Sequence, residues 1–538
     1  MNGTAAAARP GGRRRRPPVL LGALATVTAA AAVLPVVYLL VRGLGADAET
    51  RAAIPPGTLA RLTLQTALLT AGVVAVALVV GTALAWLTVR SDLRWRRGWA
   101  VAATLPLVIP SYVAALALLG AFGPKGLLQD VLEPAGVDRL PEIYGYGGAL
   151  AALSLSTFPY VFLIAAAALR SVDPSIEEAA RSLGRSPRQV FISVTLPAIR
   201  PGLAAASLLV ALYVLADFGA VSLMQYPTLS RAVYLQYESL LDRSSAALVA
   251  LVLVALSALV VWVEGRARGS AAVHRTSPGA GRRGRPVPLG RWRPVDALFC
   301  AVVTALFLLV PLGVLVWWAG EGVRAGRFAG VAWEAGADTA LVSAAAAVLA
   351  IVAVLPVAIL NWARPSRGAR LLERLTFVPN AVPGIAIALA LVFFGVRAGS
   401  VVYQSLGLLI AAYVIRFMPQ GLAATRSALV SVDPRLLDAS RSLGHGMTSS
   451  YARVVLPLAR PGLLAGAALV FLSTMKELPA TLMLRPIGLD TLATEIWTDT
   501  SLGDYSAAAP SALLLVAVAT PFVLALSSRR AWELGAAG

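Results

Sequence analysis

Cysteine occurs once in this 538-residue chain, histidine twice and lysine twice. With Cys300 as the sole thiol, neither a disulfide framework nor a thiolate metal cluster can form within the chain. At the start of an apolar run, Cys300 reads as a small buried hydrophobe. His274 and His445 fall in segments read as cytoplasmic and carry no metal role. A phosphate-cradling P-loop needs Lys directly after Gly and before Ser or Thr. Lys125 and Lys476 stand in no such context. No nucleophile sits beside a base and no metal ligands are paired, which argues against an enzyme, soluble or membrane-bound.

Charge is scarce as well, at 14% of residues against 58% hydrophobic, with a mean hydropathy of +0.76. A soluble globular chain of this length is not that apolar, so the bilayer is its solvent. The apolar runs 19–41, 68–89, 208–223 and 248–263 approach the roughly 20 residues that cross about 30 Å of hydrocarbon. The formal charge of +19 invites a nucleic-acid reading, but the arginines stand in blocks between apolar runs rather than along one polar face. The blocks are 13–16, then Arg90, Arg94, Arg96 and Arg97, then 266–293, then Arg364, Arg367, Arg370 and Arg374, and last Arg529 and Arg530. The positive-inside rule puts them all in the cytoplasm, and the acid-leaning segments around Asp47, 130–142 and 490–504 outside.

This expectation is an all-α polytopic membrane protein of about twelve transmembrane helices. They fall near 18–42, 62–90, 99–122, 146–170, 198–225, 244–265, 295–319, 338–363, 372–396, 402–429, 459–484 and 508–527. Both termini lie in the cytoplasm, and the first apolar stretch is an uncleaved span rather than a signal peptide. The chain divides into a basic tail (1–17), a first half (18–265), an Arg-, Gly-, Ser- and Pro-rich linker (266–294), a second half (295–530) and a short tail (531–538).

The two halves repeat. Val172-Asp173-Pro174 recurs as Val432-Asp433-Pro434, an offset of 433 − 173 = 260. The same offset carries Arg181-Ser182-Leu183-Gly184 onto Arg441-Ser442-Leu443-Gly444, and Leu196-Pro197 onto Leu456-Pro457. Upstream, Pro106 and Pro110 match Pro379 and Pro383 at 379 − 106 = 273, so the first half holds a longer outward loop within 123–147. Duplicated six-helix units suit a transporter, whose pathway forms between related halves.

The repeated stretch is patterned as a short helix on a cytoplasmic loop. Asp173 caps it, Pro174 takes the first helical position, Glu177 and Glu178 favour the positive dipole end, and Gly184 stops it. Ile176, Ala179, Ala180 and Leu183 form one apolar stripe. Leu436, Ala439, Leu443 and Gly444 repeat the design, with Asp438 in the place of Glu178 and Ser440 in that of Ala180. Two such helices imply two equivalent docking events, whereas helices lying on headgroups do not require the same sequence twice.

Polar groups inside spans are costly and mark function. Asp217 and Glu477 correspond at 477 − 217 = 260, next to Gly219 and Pro479, which suggests a local break in both helices. These carboxylates, with Lys476, are candidates for a pathway or gate; structural hydrogen bonds or an ion pair with Lys476 are the competing reading. Tyr112, Tyr160, Tyr213 and Tyr226 are further oxygen donors, more commonly found packing.

Glu178-Ala179-Ala180, then Gly184, then Leu196-Pro197, resembles the EAA loop of permeases from binding-protein-dependent ABC importers; the second copy departs from it as Asp438-Ala439-Ser440. The stretches 476–494, 215–219 and 109–112 resemble the fused iron(III) permeases. The resemblance implies a type I ABC importer permease fold in a bacterial inner membrane. It implies coupling through Glu177, Glu178, Ala179, Ala180, Leu183 and Gly184, and through Asp438, Ala439, Ser440, Leu443 and Gly444. Two copies of a separate ATPase subunit, carrying ATP and Mg, and an extracytoplasmic binding protein are the implied partners; the chain itself holds no cofactor and binds no nucleic acid. Related fused permeases carry thiamine, phosphonate and other small solutes. An ion-gradient-driven secondary transporter is the rival of another class, and it predicts no ATPase partner. The Arg-rich linker is a topology signal that can also meet anionic lipid.

Overall fold

A computed structural model describes residues 19–527 apart from 46, 49–53, 124–125, 137–139, 240–242, 268–285, 327–330 and 400. The basic tail, the C-terminal tail, most of the linker, and His274 and Lys125 lie outside the described residues.

The first half runs α1 (Val19–Leu44), α2 (Pro56–Arg90), α3 (Arg96–Thr104), α4 (Ser111–Phe122), α5 (Leu127–Leu132), α6 (Tyr146–Ser171), α7 (Pro174–Ser182), α8 (Pro187–Ala216), α9 (Gly219–Leu223), α10 (Leu229–Ser239) and α11 (Arg243–Ala267). The second half runs α12 (Gly290–Arg324), α13 (Trp333–Ala363), α14 (Arg367–Thr376), α15 (Gly384–Ala398), α16 (Leu406–Val430), α17 (Pro434–Ser442), α18 (Met447–Thr474), α19 (Pro479–Leu484), α20 (Leu492–Ser501) and α21 (Tyr505–Ser527). Among the described residues, eleven helices are long and apolar enough to span a membrane, or twelve when the bent pair Arg367–Ala381 and Gly384–Ala398 is one span.

Four expected spans differ in detail. The third and ninth are broken rather than continuous. Each passes through a short 3-10 turn, Leu105–Val108 or Val378–Ala381, before α4 or α15 begins just after Pro110 or Pro383, and the second of these bends by 104°. Proline supplies the break, because it removes a ladder N–H and pushes the residue before it out of the helical region. The fifth and eleventh spans start earlier than expected, at Pro187 and Met447, and each contains a π turn, Phe191–Thr195 or Tyr451–Val455. Pro197 and Pro457 stand just beyond those turns, where a missing N–H frees a ladder carbonyl. The same two spans then break near Asp217 and Glu477, where a discontinuity was expected, and continue as the short α9 and α19. The amphipathic α10 and α20 were not anticipated, since their mixed polarity hides them among loop residues.

The halves interlock through their first helices. α1 lies on the second half, where Thr28 Oγ1 donates to Ala353 O at 2.7 Å and the Tyr38 ring stacks on Phe393 at 5.9 Å. Reciprocally α12 lies on α4 of the first half and places Phe307 5.0 Å from Phe158. Gly120 permits this approach, for a Cβ there would stand 2.6 Å from Trp318 Nε1 and 2.8 Å from Val314 Cγ1. Cys300 is fully buried, as expected of a small hydrophobe.

Gly120→Ala overpacks this seam at a cost of about 1–3 kcal/mol. Its melting temperature in detergent is expected to fall clearly below that of Gly22→Ala, where nothing lies within 4 Å.

Candidate functional site

Each of the two loop helices, α7 and α17, is built by the same local chemistry. Asp173 accepts the Ser175 N–H at 2.9 Å and Asp433 accepts the Arg435 N–H at 2.9 Å, closing the two N-termini. The Ser175 N–H holds the Asp173 carboxyl below its usual range, so the cap is complete above that range and is lost only as pH falls through the lowered value. At the other end Gly184 and Gly444 sit at φ +81° and +86°, the left-handed region. There Arg185 N donates to Ala180 O and His445 N to Ser440 O, both at 3.3 Å. That is the six-to-one bond of a Schellman stop, which glycine makes without strain.

The apolar stripe expected on these helices does not lie flat on the protein. Ile176, Ala179 and Leu183 are exposed, Leu183 at 81%, and so are Leu436, Ala439 and Leu443, the last at 79%. Of the stripe only Ala180 turns inward, beside Glu177, because a nine-residue helix set on its loop buries one narrow edge. Glu178 and Asp438 point outward with the stripe. An apolar face left open beside a charged residue is the character of a contact surface.

The buried edge is held differently in the two halves. Glu177 accepts from Thr195 Oγ1 at 2.7 Å and lies 3.4 Å from Arg90 Nη2, while Arg181 is 3.9 Å away. The same Arg90 Nη2 donates to Val172 O at 3.2 Å, so the end of α2 grips both the entry and the first turn of α7. In the second half Leu437 and Val455 occupy the equivalent places and pack without charge. Conversely, Ala180 and Val190 become Ser440 and Ser450, whose hydroxyls bond at 2.9 Å. Each pair changes together, as contacting residues must when one changes polarity.

The linker joins this anchor. Val287 N donates to Arg90 O at 2.8 Å, Asp92 N to Val287 O at 3.2 Å, and Leu289 N to the Asp92 carboxylate at 3.0 Å. Arg293 closes the clasp with an ion pair to Asp92. The Leu289 N–H first, and Arg293 after it, hold the Asp92 carboxyl low.

At the broken spans, Asp217 is buried and well satisfied. It accepts from Ser111 Oγ, from Ala220 N at 3.0 Å and from Val221 N at 3.4 Å, while its carbonyl accepts from Ser230 Oγ at 2.6 Å. It is therefore the cap of α9. Glu477 stands at the equivalent place before α19, but Gly384 is where the first half has Ser111 (384 − 111 = 273), and Glu477 Oε1 has no protein partner. Lys476 makes no ion pair with either acid among the described residues; it reaches across the halves to donate to Leu107 O at 2.8 Å. Arg416, which the reading of the sequence passed over, donates to Val382 O at 2.6 Å just past the second 3-10 turn, and to Pro379 O within it at 3.5 Å. A charge in the middle of the 406–430 span was the signal that could have found it. Of the four tyrosines, Tyr160 packs on Tyr213 at 5.9 Å and Tyr226 donates to Gln65 O at 3.3 Å, whereas Tyr112 is buried with a free hydroxyl. The Phe218 ring lies 5.0 Å from Trp497 and 4.5 Å from Tyr234, closing the halves against each other beside these groups. No cluster of three or more His, Cys, Asp or Glu fit for a metal occurs among the described residues.

Glu177→Leu alone strands the buried Arg90 and is expected to destabilise the protein by on the order of 3 kcal/mol. Adding Arg90→Ala and Thr195→Val, which copies Ala363, Leu437 and Val455 of the second half, is expected to recover most of the lost melting temperature in detergent.

The chain is similar to the Fe(3+)-transport system permease protein FbpB 2 of Haemophilus influenzae, with 31% identity over 494 residues, covering 90% of this chain and 93% of that protein. It is 26% identical over 478 residues to the ferric transport system permease protein FbpB of Actinobacillus pleuropneumoniae, covering 84% and 68%. A molybdenum transport system permease protein, ModB of Mycobacterium tuberculosis, matches over 189 residues at 33% identity, covering 34% and 70%. The domain described as "Binding-protein-dependent transport system inner membrane component" matches twice, at residues 77–266 and 355–533. With that domain present in both halves, the chain belongs to the family of binding-protein-dependent transport system inner membrane components, as an ABC permease whose two units are fused in one multi-pass polypeptide.

Proposed function

We propose that this chain forms the pathway of an ATP-driven importer for iron(III), and that α7 and α17 are the two points at which separate ATPase subunits grip it. The observation that carries the coupling role is the pair of capped helices, one per half, each with its apolar stripe uncovered. Two equivalent stripes call for two copies of one partner, with ATP and Mg bound there and none held by this chain. A binding protein delivers substrate to the opposite face, so this chain needs little affinity of its own. Iron(III) is favoured by the full-length likeness to fused ferric permeases, for the molybdenum relative matches only a third of the chain. In this reading residues 18–265 and 295–530 are the moving halves, 266–294 is a cytoplasmic linker, both termini are cytoplasmic, and anionic lipid neighbours the arginine blocks.

The chain works as a lever. When the ATPases close on ATP they bring α7 and α17 together. Arg90 ties α7 to α2, and the unbroken run from Pro187 through the π turn carries the displacement up α8 to Asp217. The equivalent path leads through α18 to Glu477. Both paths end at the breaks where the halves meet, so closure below translates into separation there. Nucleotide hydrolysis then resets the halves.

Gly184→Leu together with Gly444→Leu places side chains at left-handed backbone positions, costing roughly 1–2 kcal/mol at each. The double variant is expected to lose at least tenfold in uptake of labelled iron(III) in vesicles, and to retain less ATPase on purification. Full uptake with full ATPase retention would refute the coupling role.

A further inference from the structure

The end of α2 is fastened on two sides. On one side the Arg90 guanidinium lies 3.4 Å from Glu177 and donates to Val172 O at 3.2 Å, so it holds α7. On the other, the Arg90 carbonyl accepts Val287 N at 2.8 Å and Val287 O accepts Asp92 N at 3.2 Å. Val287 thus pairs with Ser91 as a short parallel bridge and is itself buried. The Asp92 carboxylate then accepts Leu289 N at 3.0 Å and pairs with the Arg293 guanidinium. A helix leaves its last carbonyls without partners, and residues 287–293 form a strap that fills this need at Arg90. Ser91, fully buried, braces the turn from within, donating to Leu87 O at 2.6 Å and accepting Leu93 N at 3.2 Å.

The second half has no counterpart. At the offset of 273, Ala363 stands for Arg90 (363 − 90 = 273) and Pro365 for Asp92 (365 − 92 = 273), so both the guanidinium and the carboxylate are missing. In α17 the buried residue is Leu437, with the Ser440–Ser450 hydroxyl bond beside it. One loop helix is braced through charges to a distant part of the chain, and the other is not.

The strap's worth is orientational. Asp92 is 29% and Arg293 49% exposed, and an ion pair so open to water adds little to stability. A guanidinium at the end of a helix keeps its aim only when the backbone beneath it is fixed, and the two bonds to Val287 fix it. The strap also runs directly into α12, whose first turn contains Arg293. Two ion pairs, Glu177–Arg90 and Asp92–Arg293, therefore connect the first loop helix to the first span of the second half.

We propose that Asp92 is a positioning residue of the coupling step: with the strap 287–293 it aims Arg90 at α7, so that force on α7 reaches α12 directly. The two ATPase grips are then unequal, because α17 has no such brace. The inference rests on the coupling role proposed above and deepens it.

The first arm of the test reads the brace without cargo or nucleotide, by hydrogen–deuterium exchange of the full-length chain in lipid nanodiscs. Amides of α7 are expected to exchange about fivefold faster in Asp92→Ala, as a local opening made easier, while those of α17 keep their rates. The duplicated helix is thus the internal control, since general loss of structure loosens both. Arg293→Ala, which leaves the Leu289 bond to Asp92, is expected to act in the same direction more weakly. Asp92→Arg with Arg293→Asp is expected to protect α7 better than Asp92→Arg alone. Unchanged α7 exchange in Asp92→Ala, or α7 and α17 loosening together, overturns the proposal. The second arm measures ATP hydrolysed per labelled iron(III) taken up by the complex with its ATPase and binding protein in liposomes. Asp92→Ala is expected to raise that ratio severalfold, whereas a merely structural role lowers hydrolysis and uptake in step. Faster α7 exchange with an unchanged ratio overturns the positioning role. An unaltered complex whose iron(III) uptake is independent of ATP removes the coupling reading above, an outcome distinct from either failure of the strap.

Discussion

Every backbone N–H and C=O placed in hydrocarbon has to find a partner inside the protein, and the architecture of this permease is the consequence of breaking that rule locally and repairing it. Four spans are interrupted, and each interruption frees main-chain groups that an uninterrupted helix would pair. The repairs are made by the charged residues that look most anomalous in the sequence. Lys476 takes a carbonyl of one 3-10 turn, Arg416 takes the carbonyl that follows the other, and Asp217 covers the Ala220 and Val221 amides of α9. Intramembrane charge is thus first a structural cost of having broken spans.

The duplication gives two copies of each device, and the differences between copies separate what is required from what is incidental. Both loop helices keep the Asp cap, the left-handed glycine and the exposed stripe. Their buried edges are free to differ, one ionic and one apolar, because a well-packed apolar contact replaces a satisfied ion pair at little net cost. The ionic version sits where the linker returns to Asp92 and Arg90, so the first half's lever is tied to the start of the second half. At the breaks the carboxylates differ: Asp217 of the first half is fully partnered, and Glu477 of the second keeps an open oxygen. The loop helices are close to symmetric and the breaks are not.

Much of this was legible in the linear chain because its signals are local. Span existence follows from apolar length, and the loop helices from Asp, Pro and Gly at fixed spacing. The places where reading fell short share a cause. The π turns and the early starts of α8 and α18 come from prolines whose effect depends on what the freed carbonyl finds nearby. The loop stripe was expected to include Ala180, yet which edge of a short helix faces inward is decided by its seat on α2 and α8. Arg416 stood plainly in an apolar run, but its role requires Val382 and Gly384, which come from a different span.

The sequence by itself determined the all-helical class, the two-unit plan, the position and capping of the two loop helices and the family the chain belongs to. Each of these rests on composition or on contacts within a few residues, where periodicity and spacing are sufficient. Only the tertiary structure decided that Asp217 is satisfied while Glu477 is not, that Lys476 bridges the halves instead of pairing with an acid, and that Arg416 and Glu477 both border Gly384. Those outcomes depend on distances between helices far apart in the chain, and on whether a serine or a glycine stands opposite a carboxylate, which no single stretch of sequence contains.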